Sequence, residues 1–561
     1  MIYNSAKLRS MEIEAGDNGG APEVTTVKRT ESWPQINAVV FLLIGFSVIY
    51  FADVWLRASE KYFWTDEITT IYLCRLPNFS SLWEALRRGM DFNPPLFYML
   101  TNASQAIFGE GLVSTRLPQI IAFWILCLSL FQFVRRTSGT TAGFIAMLLP
   151  MFTTAFFYAY EARPHGMTLG FCGLALVCWQ MSLERPDRRS WLVGFSACLC
   201  AAFLMHCYAF LVAAPFALTE LFRTVKTRHL HWPMLIALIT PIIIASATYI
   251  PLLLAYKSIA GGTSFEKEGT AGWALVLSFY PFLVAPCIPL IVLALALVVV
   301  NRTGHLDIVD PTREKRVENS TLELVLGLSF LALPIMGVMF AKIIQGPLMV
   351  RYFLPSLIGF CIVVGTIFGR RKTAPWIAVT LAITMTLIIG EQFARLVWHR
   401  HKGWGENLIE PISGRPMNTT PGQPLDRYRL LVSEASNSHL PIAILTGWDF
   451  AYLLHYAPHL LPRLYYINTA ASDFYYRALR DFRPLSLLKY NPQLTFHEFC
   501  RRAPAFLVYG LYRDGEMNEL SEITETGRTI KLLKISDGHF LAEVETKGTA
   551  RLDDQTRSRT K

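Results

Sequence analysis

The sequence predicts an α-helical polytopic membrane protein with about eleven transmembrane helices and a C-terminal soluble α/β domain. Its 561 residues are 52% hydrophobic and only 17% charged, whereas soluble proteins carry about 25% charged residues. The deficit is concentrated in residues 37–394, where long apolar runs alternate with short polar loops. Runs of about 20 apolar residues cross a bilayer, so this pattern indicates many spans flanked by polar ends.

The N-terminal residues 1–36 are polar and mix acidic with basic side chains. No cleavable signal peptide fits them, because the first apolar run begins late and is long enough to span. We therefore expect a cytoplasmic tail at 1–36, followed by a first span near 37–56.

Ten further apolar runs follow the first span. The stretch 191–222 has about 32 residues, too many for one crossing. It predicts two short crossings that meet in a turn at His206, with this histidine at the surface. The runs lie at 117–134, 141–160, 165–183, 191–205, 207–222, 233–255, 273–300, 321–344, 348–368 and 374–394.

Charge patterning predicts the orientation of these spans. With the N-terminus in the cytoplasm, the inner loops carry roughly fifteen Lys and Arg and the short outer loops about five, as the positive-inside rule requires. The loop 57–115 and the C-terminal domain 395–561 are then extracytoplasmic. The net charge of +10 lies mainly in these short loops, which excludes nucleic acid as an expected partner.

The outer loop and the C-terminal domain both show local structure. Within 57–115, the sequence predicts short helices at 66–74 and 80–89, with Ser80 or Ser81 as the cap of the second. In the C-terminal domain, apolar strands alternate with helical segments, which is typical of a small α/β fold. Its predicted elements are strands at 441–446, 463–467 and 505–509, a helix at 449–456 and a hairpin within 530–544, before a disordered tail beyond about 548.

The ten cysteines indicate no metal site. Eight lie in or beside apolar runs and are expected to be small buried hydrophobic residues. Cys74 and Cys500 lie outside the runs, and a disulfide between them remains open at this stage.

Charged residues near membrane depth are costly and mark candidate functional positions. The adjacent carboxylates Asp66 and Glu67 follow an aromatic patch, and one of them can act as a base; alternatively they are the acidic first turn of a helix capped by Thr65. Arg163 can hold a phosphate or can snorkel to lipid headgroups beside Glu161. The outer set comprises Asp66, Glu67, Asp91, Arg116, Arg163, His206 and Arg351.

Several motifs occur in one order along the chain, together with the histidine of the double short span. Taken together they resemble membrane glycosyltransferases of the GT-C class, within it the ArnT and protein O-mannosyltransferase branch (bacterial glycosyltransferase family 39/83-like), over about residues 37–400. The motifs are WTDEITT at 64–70, NPPLFY at 93–98, STRLP at 114–118, YEARPHGM at 160–167 and MVRYFLP at 349–355.

The resemblance implies a GT-C fold and a reaction in the plasma (inner) membrane of a bacterium. A sugar would pass from a polyprenyl-phosphate donor to a lipid, glycan or protein acceptor on the extracytoplasmic side, with Asp66 as the general base. It implies no cofactor, and the adjacent acids favour a reaction without a metal. The implied site comprises Asp66 and Glu67 as catalytic residues; Arg116, Arg163, Arg351 and His206 at the donor phosphate; and Asp91, Asn93, Tyr98 and His165 at the acceptor or sugar.

The chemistry of the residues agrees with this reaction. Attack by a hydroxyl needs a base, whereas a phosphate leaves as a stable anion and needs cations rather than an acid. Two positions depart from related sequences, which often have His in place of Asn93 and Tyr in place of His165. An alternative function is a transporter or flippase of lipid-linked glycans, which also needs many spans and buried charges.

Overall fold

The structure is a computed structural model, and it divides into two compact units, 1–46 and 47–561. In the first unit the described residues are helical, and the expected tail at 1–36 lies almost entirely outside the described residues. The described part of the chain is 33–546 apart from 92, 260–271, 301–312, 345–347, 371–374, 402–424, 426–427, 469–482, 492, 513–519, 521–522, 525–526 and 537.

Helices dominate the described residues up to position 401. In chain order they are α1 (Trp33–Glu60), α2 (Thr65–Cys74), α3 (Phe79–Arg87), α4 (Pro95–Phe108), α5 (Leu117–Ser138), α6 (Thr140–Leu148), α7 (His165–Glu184), α8 (Ser190–Phe203), α9 (Ala213–Thr227), α10 (Trp232–Ile259), α11 (Trp273–Val284), α12 (Ile288–Val300), α13 (Arg313–Leu331), α14 (Leu333–Ile344), α15 (Ser356–Arg370) and α16 (Pro375–His401). Short 3₁₀ helices at Leu149–Phe152, Thr154–Tyr160, Cys207–Val212, Ala285–Cys287 and Val350–Phe353 join several of them.

These helices confirm the polytopic helical membrane fold predicted from the apolar runs. Within the described residues, six helices are long and apolar enough to cross a membrane, or eight if each of two bent pairs counts as one span. Three shorter apolar helices lie at Ser190–Phe203, Ser356–Phe368 and Val379–Ala394. The protein is therefore an integral membrane protein, and the number of eleven crossings stays a prediction.

One of the bent pairs matters for the site. Thr140–Phe152 and Thr154–Tyr160 meet at an angle of 76°, just after Pro150, whose ring removes a backbone donor and prevents a regular helix. Thr153 at the bend is extended, with φ −113° and ψ 162°. The bend directs the chain into the turn that carries Arg163.

Close packing holds α7, the helix that follows this turn, against its neighbours. In α7, a Cβ added at Gly170 would lie 2.4 Å from the carbonyl oxygen of Ala122 in α5, so only glycine permits this approach. Further along the same pair, the Gln180 amide donates to the Glu323 carboxylate of α13 at 2.6 Å and to the Phe133 carbonyl at 2.9 Å. The two hydrogen bonds of Gln180 join the last turns of α7 to α5 and α13.

The two predicted helices of the outer loop are present as α2 and α3, but their caps differ from the prediction. Thr65 is the first residue of α2, and Trp64 is the N-cap, whose N–H donates to Glu67 at 3.4 Å. Asn78 caps α3 in place of Ser80 or Ser81, because its side chain accepts from the Ser81 N–H at 2.9 Å. In both cases the helix begins one residue earlier than expected.

The C-terminal domain contains a six-stranded mixed sheet in the order β3-β2-β1-β4-β6-β5. Strands β3, β2, β1 and β4 are parallel, and β6 runs antiparallel between β4 and β5. The α/β prediction is confirmed, although it missed the two-residue strand β3. The elements are α17 (Arg429–Asn437), β1 (Ile442–Ile444), α18 (Gly447–Tyr456), β2 (Leu464–Asn468), β3 (Leu494–Thr495), α19 (Phe496–Arg502), β4 (Ala505–Leu511), β5 (Thr529–Ser536) and β6 (His539–Glu545), with 3₁₀ turns at Pro458–Arg463 and Arg483–Leu488.

Two apolar cores cover the faces of this sheet. One, which includes Phe506 and Phe540, is formed within the domain. The other continues from Ile442 and Phe450 into buried residues of the outer loop, such as Ile71 of α2. The sheet and the outer loop therefore fold around a common core. Cys74 in α2 and Cys500 in α19 are both free, so the disulfide left open by the sequence does not form.

A buried carboxylate ties α18 to the sheet. Asp449 is 3% exposed and accepts from the Tyr428 hydroxyl at 2.8 Å, from the Thr446 hydroxyl and from His539 Nε2 at 3.2 Å. Burial alone would raise the pKa of Asp449, but His539 and the two hydroxyls outweigh burial and lower it. The ionised carboxylate is therefore part of the folded state.

We expect Asp449→Ala to lower the free energy of unfolding by about 3 kcal/mol at neutral pH, because three buried donors lose their acceptor. The pKa of Asp449 is lower in the folded than in the unfolded state, where it is about 4. Its stabilisation is therefore complete above that value and is lost as the pH falls through the folded pKa. Thermal unfolding of the detergent-purified protein at neutral and acidic pH measures both effects.

The matched control is Tyr428→Phe, which removes one donor and should cost about 1 kcal/mol. A difference between wild type and Asp449→Ala that is equally large at neutral and strongly acidic pH would contradict this account.

Candidate active site

Three segments meet at one end of the helix bundle and bring most of the predicted site residues together. The first is the start of α2, with Asp66 and Glu67. The second is the turn before α7, with Arg163. The third is the 3₁₀ helix Val350–Phe353, which carries Arg351. Each segment lies where a membrane helix begins or ends, so the bundle fixes their separation.

Asp66 faces two guanidinium groups. Its carboxylate oxygen Oδ2 lies 3.8 Å from Nη2 of Arg351, and Arg163 Nη1 donates to its backbone carbonyl at 3.3 Å. Asp66 is 4% exposed and occupies the first turn of α2, where the helix dipole favours an anion. Asp66 and these two guanidinium groups therefore lie close together.

Glu67 points away from Asp66 and is entirely buried. Its two carboxylate oxygens accept from Nε and Nη2 of Arg116, each at 2.8 Å, and Oε1 also accepts from the Ala162 N–H at 2.7 Å. Burial would raise the pKa of Glu67, but Arg116, Lys61 and these hydrogen bonds lower it below its usual value. The resemblance implied a catalytic role for Glu67, but these contacts support a structural role in ordering the loop.

The structure corrects the expected role of Arg116 as a ligand of the donor phosphate. Besides its two bonds to Glu67, it donates through Nη1 to the carbonyls of Ala58 and Lys61, each at 2.7 Å, and through Nη2 to that of Tyr62 at 3.3 Å. A guanidinium has five N–H donors, and these bonds use all of them. Arg116 is also 0% exposed, so it fixes the end of α1 against α2.

Lys61 belongs, with Glu67, Arg116 and Glu161, to a buried cluster of charged residues. The sequence did not predict a role for Lys61. Its ammonium lies 3.7 Å from Glu67 Oε2, 3.9 Å from Glu161 Oε1 and 4.0 Å from the ring centre of Phe157. Burial lowers the pKa of Lys61 and raises that of Glu161. From the sequence alone, a lysine just after a span is indistinguishable from one that snorkels to headgroups.

Arg163 pairs with Asp91 rather than with Glu161, the partner that the sequence suggested. Its Nη1 lies 2.6 Å from Asp91 Oδ2, and Asn93 Nδ2 donates to Asp91 Oδ1 at 3.4 Å. Tyr98 is completely buried, with its hydroxyl close to Asp91. The side chains of Asp91, Asn93 and Tyr98 therefore form one group next to Arg163.

His165 and His206 lie together beside Arg351 in a cluster of aromatic rings. Their ring centres are 4.9 Å apart, and His206 lies 4.9 Å from Tyr352, which stacks on Tyr208 at 4.4 Å. His206 is 7% exposed, which corrects the expectation of a surface position: the turn at 204–206 folds inward against Tyr352.

His206 is neutral in this environment. Its burial, followed by the charges of Arg163 and Arg351, lowers its pKa to about 3. Its Nδ1 accepts from the Tyr208 N–H at 3.2 Å. A neutral imidazole with an accepting Nδ1 carries its proton on Nε2, so His206 offers one hydrogen-bond donor and no charge.

Within the described residues, no group of three His, Cys, Asp or Glu side chains is arranged to hold a metal ion. The adjacent acids Asp66 and Glu67 have different partners, because Glu67 accepts from Arg116 whereas Asp66 lies near Arg351.

Comparisons with known proteins agree with the fold. Residues 93–249 match the sequence model of the family described as dolichyl-phosphate-mannose-protein mannosyltransferase. This region contains Asn93, Arg163 and His206, whereas Asp66 and Arg351 lie outside it. No curated protein sequence matches the chain significantly.

Solved structures of ArnT from Cupriavidus metallidurans have a similar fold. The apo state of ArnT superposes with a TM-score of 0.56 at 12% sequence identity, and the state bound to undecaprenyl phosphate with 0.51 at 13%. Each match covers 91% of this chain and 98% of ArnT. The resemblance to GT-C membrane glycosyltransferases of the ArnT and protein O-mannosyltransferase type is thereby confirmed, and at this identity the structural likeness concerns the fold.

We expect Glu67→Gln and Arg116→Ala each to destabilise the protein by about 3–5 kcal/mol, because each leaves a buried partner charge uncompensated. Asp66→Asn should cost less, since the amide keeps the shape of the side chain and the Arg351 guanidinium lies 3.8 Å from this carboxylate, beyond hydrogen-bond distance. Thermal unfolding in detergent distinguishes the two classes. Equal melting temperatures for Asp66→Asn and Glu67→Gln would contradict the conclusion that Glu67 stabilises the fold more than Asp66 does.

Proposed function

We propose that this protein transfers a sugar from a polyprenyl-phosphate donor to an acceptor hydroxyl at the extracytoplasmic surface of the membrane, with inversion and with Asp66 as the base. One observation carries the proposal. The Asp66 carboxylate lies 3.8 Å from the Arg351 guanidinium, and Arg163 donates a hydrogen bond to the Asp66 backbone carbonyl at 3.3 Å. Further support comes from the ArnT structure of similar fold that is bound to undecaprenyl phosphate.

In the proposed step, an acceptor hydroxyl oxygen attacks the anomeric carbon while Asp66 takes the hydroxyl proton. The bond between the anomeric carbon and the phosphate oxygen breaks, and the phosphate leaves with the bonding electron pair. The attacking and leaving oxygens lie on opposite sides of the carbon, so its configuration inverts.

The leaving phosphate is best matched by Arg351. Its nearest carboxylate is 3.8 Å away, and its side chain is 27% exposed, so it can turn to an incoming anion. Arg163 is held by Asp91 at 2.6 Å and contributes its charge from a fixed position. Planar guanidinium groups bind phosphate through paired hydrogen bonds, and charge stabilisation of this kind replaces a general acid.

The remaining predicted residues are assigned to the sugar and the acceptor. A neutral His206, with its donor on Nε2, suits a hydrogen bond to a phosphate or sugar oxygen but not proton transfer near neutral pH. His165 stands beside it, 7% exposed. Asp91 and Asn93 suit contacts to sugar hydroxyls. Tyr98 is buried behind Asp91 and is better suited to holding that carboxylate in position.

We propose a reaction without a metal or another cofactor. The carboxylate next to Asp66 is occupied by Arg116 and Ala162, which supports a single base flanked by guanidinium groups. The acceptor is a lipid, a glycan or a protein hydroxyl.

The proposed location is the inner membrane of a bacterium, with the N-terminus in the cytoplasm and the C-terminal domain outside. A transporter of lipid-linked glycans is the alternative. The charged residues of the site converge at one end of the helices, whereas a transporter is expected to carry charged groups near the middle of the membrane. No described contact specifically favours the transporter.

We expect Asp66→Asn to lower the rate of sugar transfer about 10²–10⁴-fold, because the variant has no base for the acceptor hydroxyl. The assay uses membranes supplied with a labelled polyprenyl-phosphate sugar. The control is Glu110→Gln, which changes a half-exposed carboxylate of the same loop and should transfer normally. Transfer by Asp66→Asn at the wild-type rate would refute the assignment of the base.

We expect Arg351→Ala to lower kcat/KM for the donor about 10–100-fold, the value of one charge-assisted contact. Arg351→Lys should recover part of this loss, because it keeps the charge but not the planar fork. Arg88→Ala, which removes an exposed arginine paired with Glu84, serves as the control. Wild-type kinetics for Arg351→Ala would mean that this arginine is only a membrane anchor.

A further inference from the structure

The C-terminal domain contacts the segment that leads into the base-bearing helix. The Tyr456 hydroxyl, at the end of α18, donates to the Phe63 carbonyl at 3.0 Å. Phe63 is three residues before Asp66, in the extended segment between α1 and α2. The hydrogen bond to the Phe63 carbonyl therefore fixes the backbone just before α2.

The ring of Phe63 is held from two directions. The Arg116 guanidinium lies 4.7 Å from its centre, and the His455 ring packs edge-on at 5.9 Å. Burial, followed by the charge of Arg75, lowers the pKa of His455 to about 4, so His455 packs as a neutral ring. The cation–π contact and the aromatic contact together fix Phe63 between the membrane helices and the C-terminal domain.

The same domain also contacts the other end of α2. Tyr72 packs edge-on against His455 at 6.3 Å and against Tyr490 at 5.4 Å, and Arg75 Nη1 donates to the Tyr490 hydroxyl at 3.5 Å. Between these ends, α2 shares its apolar core with α18. Contacts from the C-terminal domain therefore reach the whole length of the helix.

A helix of this length depends on such contacts. α2 has ten residues, and isolated helices shorter than about 12–15 residues are marginal in water. The direction of the Asp66 carboxylate thus depends on tertiary packing, to which the C-terminal domain contributes the contacts at both ends of α2.

We infer that the C-terminal domain is a positioning element for catalysis, in which Tyr456, supported by His455, sets the orientation of Asp66 through Phe63. This inference rests on the proposed function for its kinetic consequence. Tyr456 touches neither substrate nor reacting atoms in this scheme, so it is a positioning residue. A misplacement of about 1 Å in a reacting group can lower the rate about a hundredfold. Loss of the hydrogen bond between Tyr456 and Phe63 is therefore expected to lower the rate of sugar transfer.

The test compares the full-length Tyr456→Phe variant with wild type. This change keeps the ring and removes the one hydroxyl that holds Phe63. We expect kcat to fall about five- to tenfold, the value of one hydrogen bond, while the KM for the polyprenyl-phosphate donor stays unchanged because Arg351 and Arg163 are not moved. Tyr465→Phe is the matched control, since Tyr465 packs against Phe499 on the opposite face of the sheet.

Hydrogen exchange of the amides at 66–70 gives a second readout that is independent of sugar transfer. We expect faster exchange there in Tyr456→Phe than in Tyr465→Phe, at equal melting temperature. If no variant, including wild type, transfers sugar, the proposed function fails and the exchange result still decides the inference. Wild-type kcat together with wild-type exchange in Tyr456→Phe would overturn it, as would a loss of kcat of the same size in Tyr465→Phe.

Discussion

The buried ion pair of Glu67 and Arg116 is the interaction on which the rest of the site depends. It joins the end of α1, the start of α2 and the start of α5, and the Ala162 amide adds the turn before α7. Isolated charges in such a place would be prohibitively costly. Here every N–H of Arg116 has an acceptor, so the pair is satisfied and fixes the relative positions of four segments.

This arrangement separates structural charges from those available for chemistry. Glu67 and Arg116 have no atom left for a substrate, whereas Asp66 and Arg351 remain 3.8 Å apart at the edge of the same cluster. Successive residues of an α-helix project about 100° apart, so two adjacent carboxylates reach different surroundings. The ion pair of Glu67 and Arg116 holds the backbone of α2 in place, and this restricts the conformational freedom of the neighbouring Asp66 carboxylate, the base in the proposed reaction.

Much of this protein was predictable from its sequence. Apolar runs gave the helices, because burial in lipid imposes a length and composition that few other constraints produce. The sequence placed Asp66, Arg163 and Arg351 at the predicted outer ends of separate spans, which is why they were expected to lie close together. The roles of Arg116 and Lys61 were not predictable, because an arginine that binds phosphate and one that binds carbonyls look alike until their acceptors are known. The cap Trp64 and the inward fold of His206 depend on tertiary contacts for the same reason.

The contact between Tyr456 and Phe63 also bears on how the protein is made. The two residues are 393 positions apart, and synthesis at about 5–20 residues per second separates their appearance by roughly 20–80 s. During that interval the early helices enter the bilayer while the short helix with Asp66 lacks its later support. The segment that leads into Asp66 therefore gains this hydrogen bond only after residue 456 has been made, and every shorter chain in the membrane lacks it.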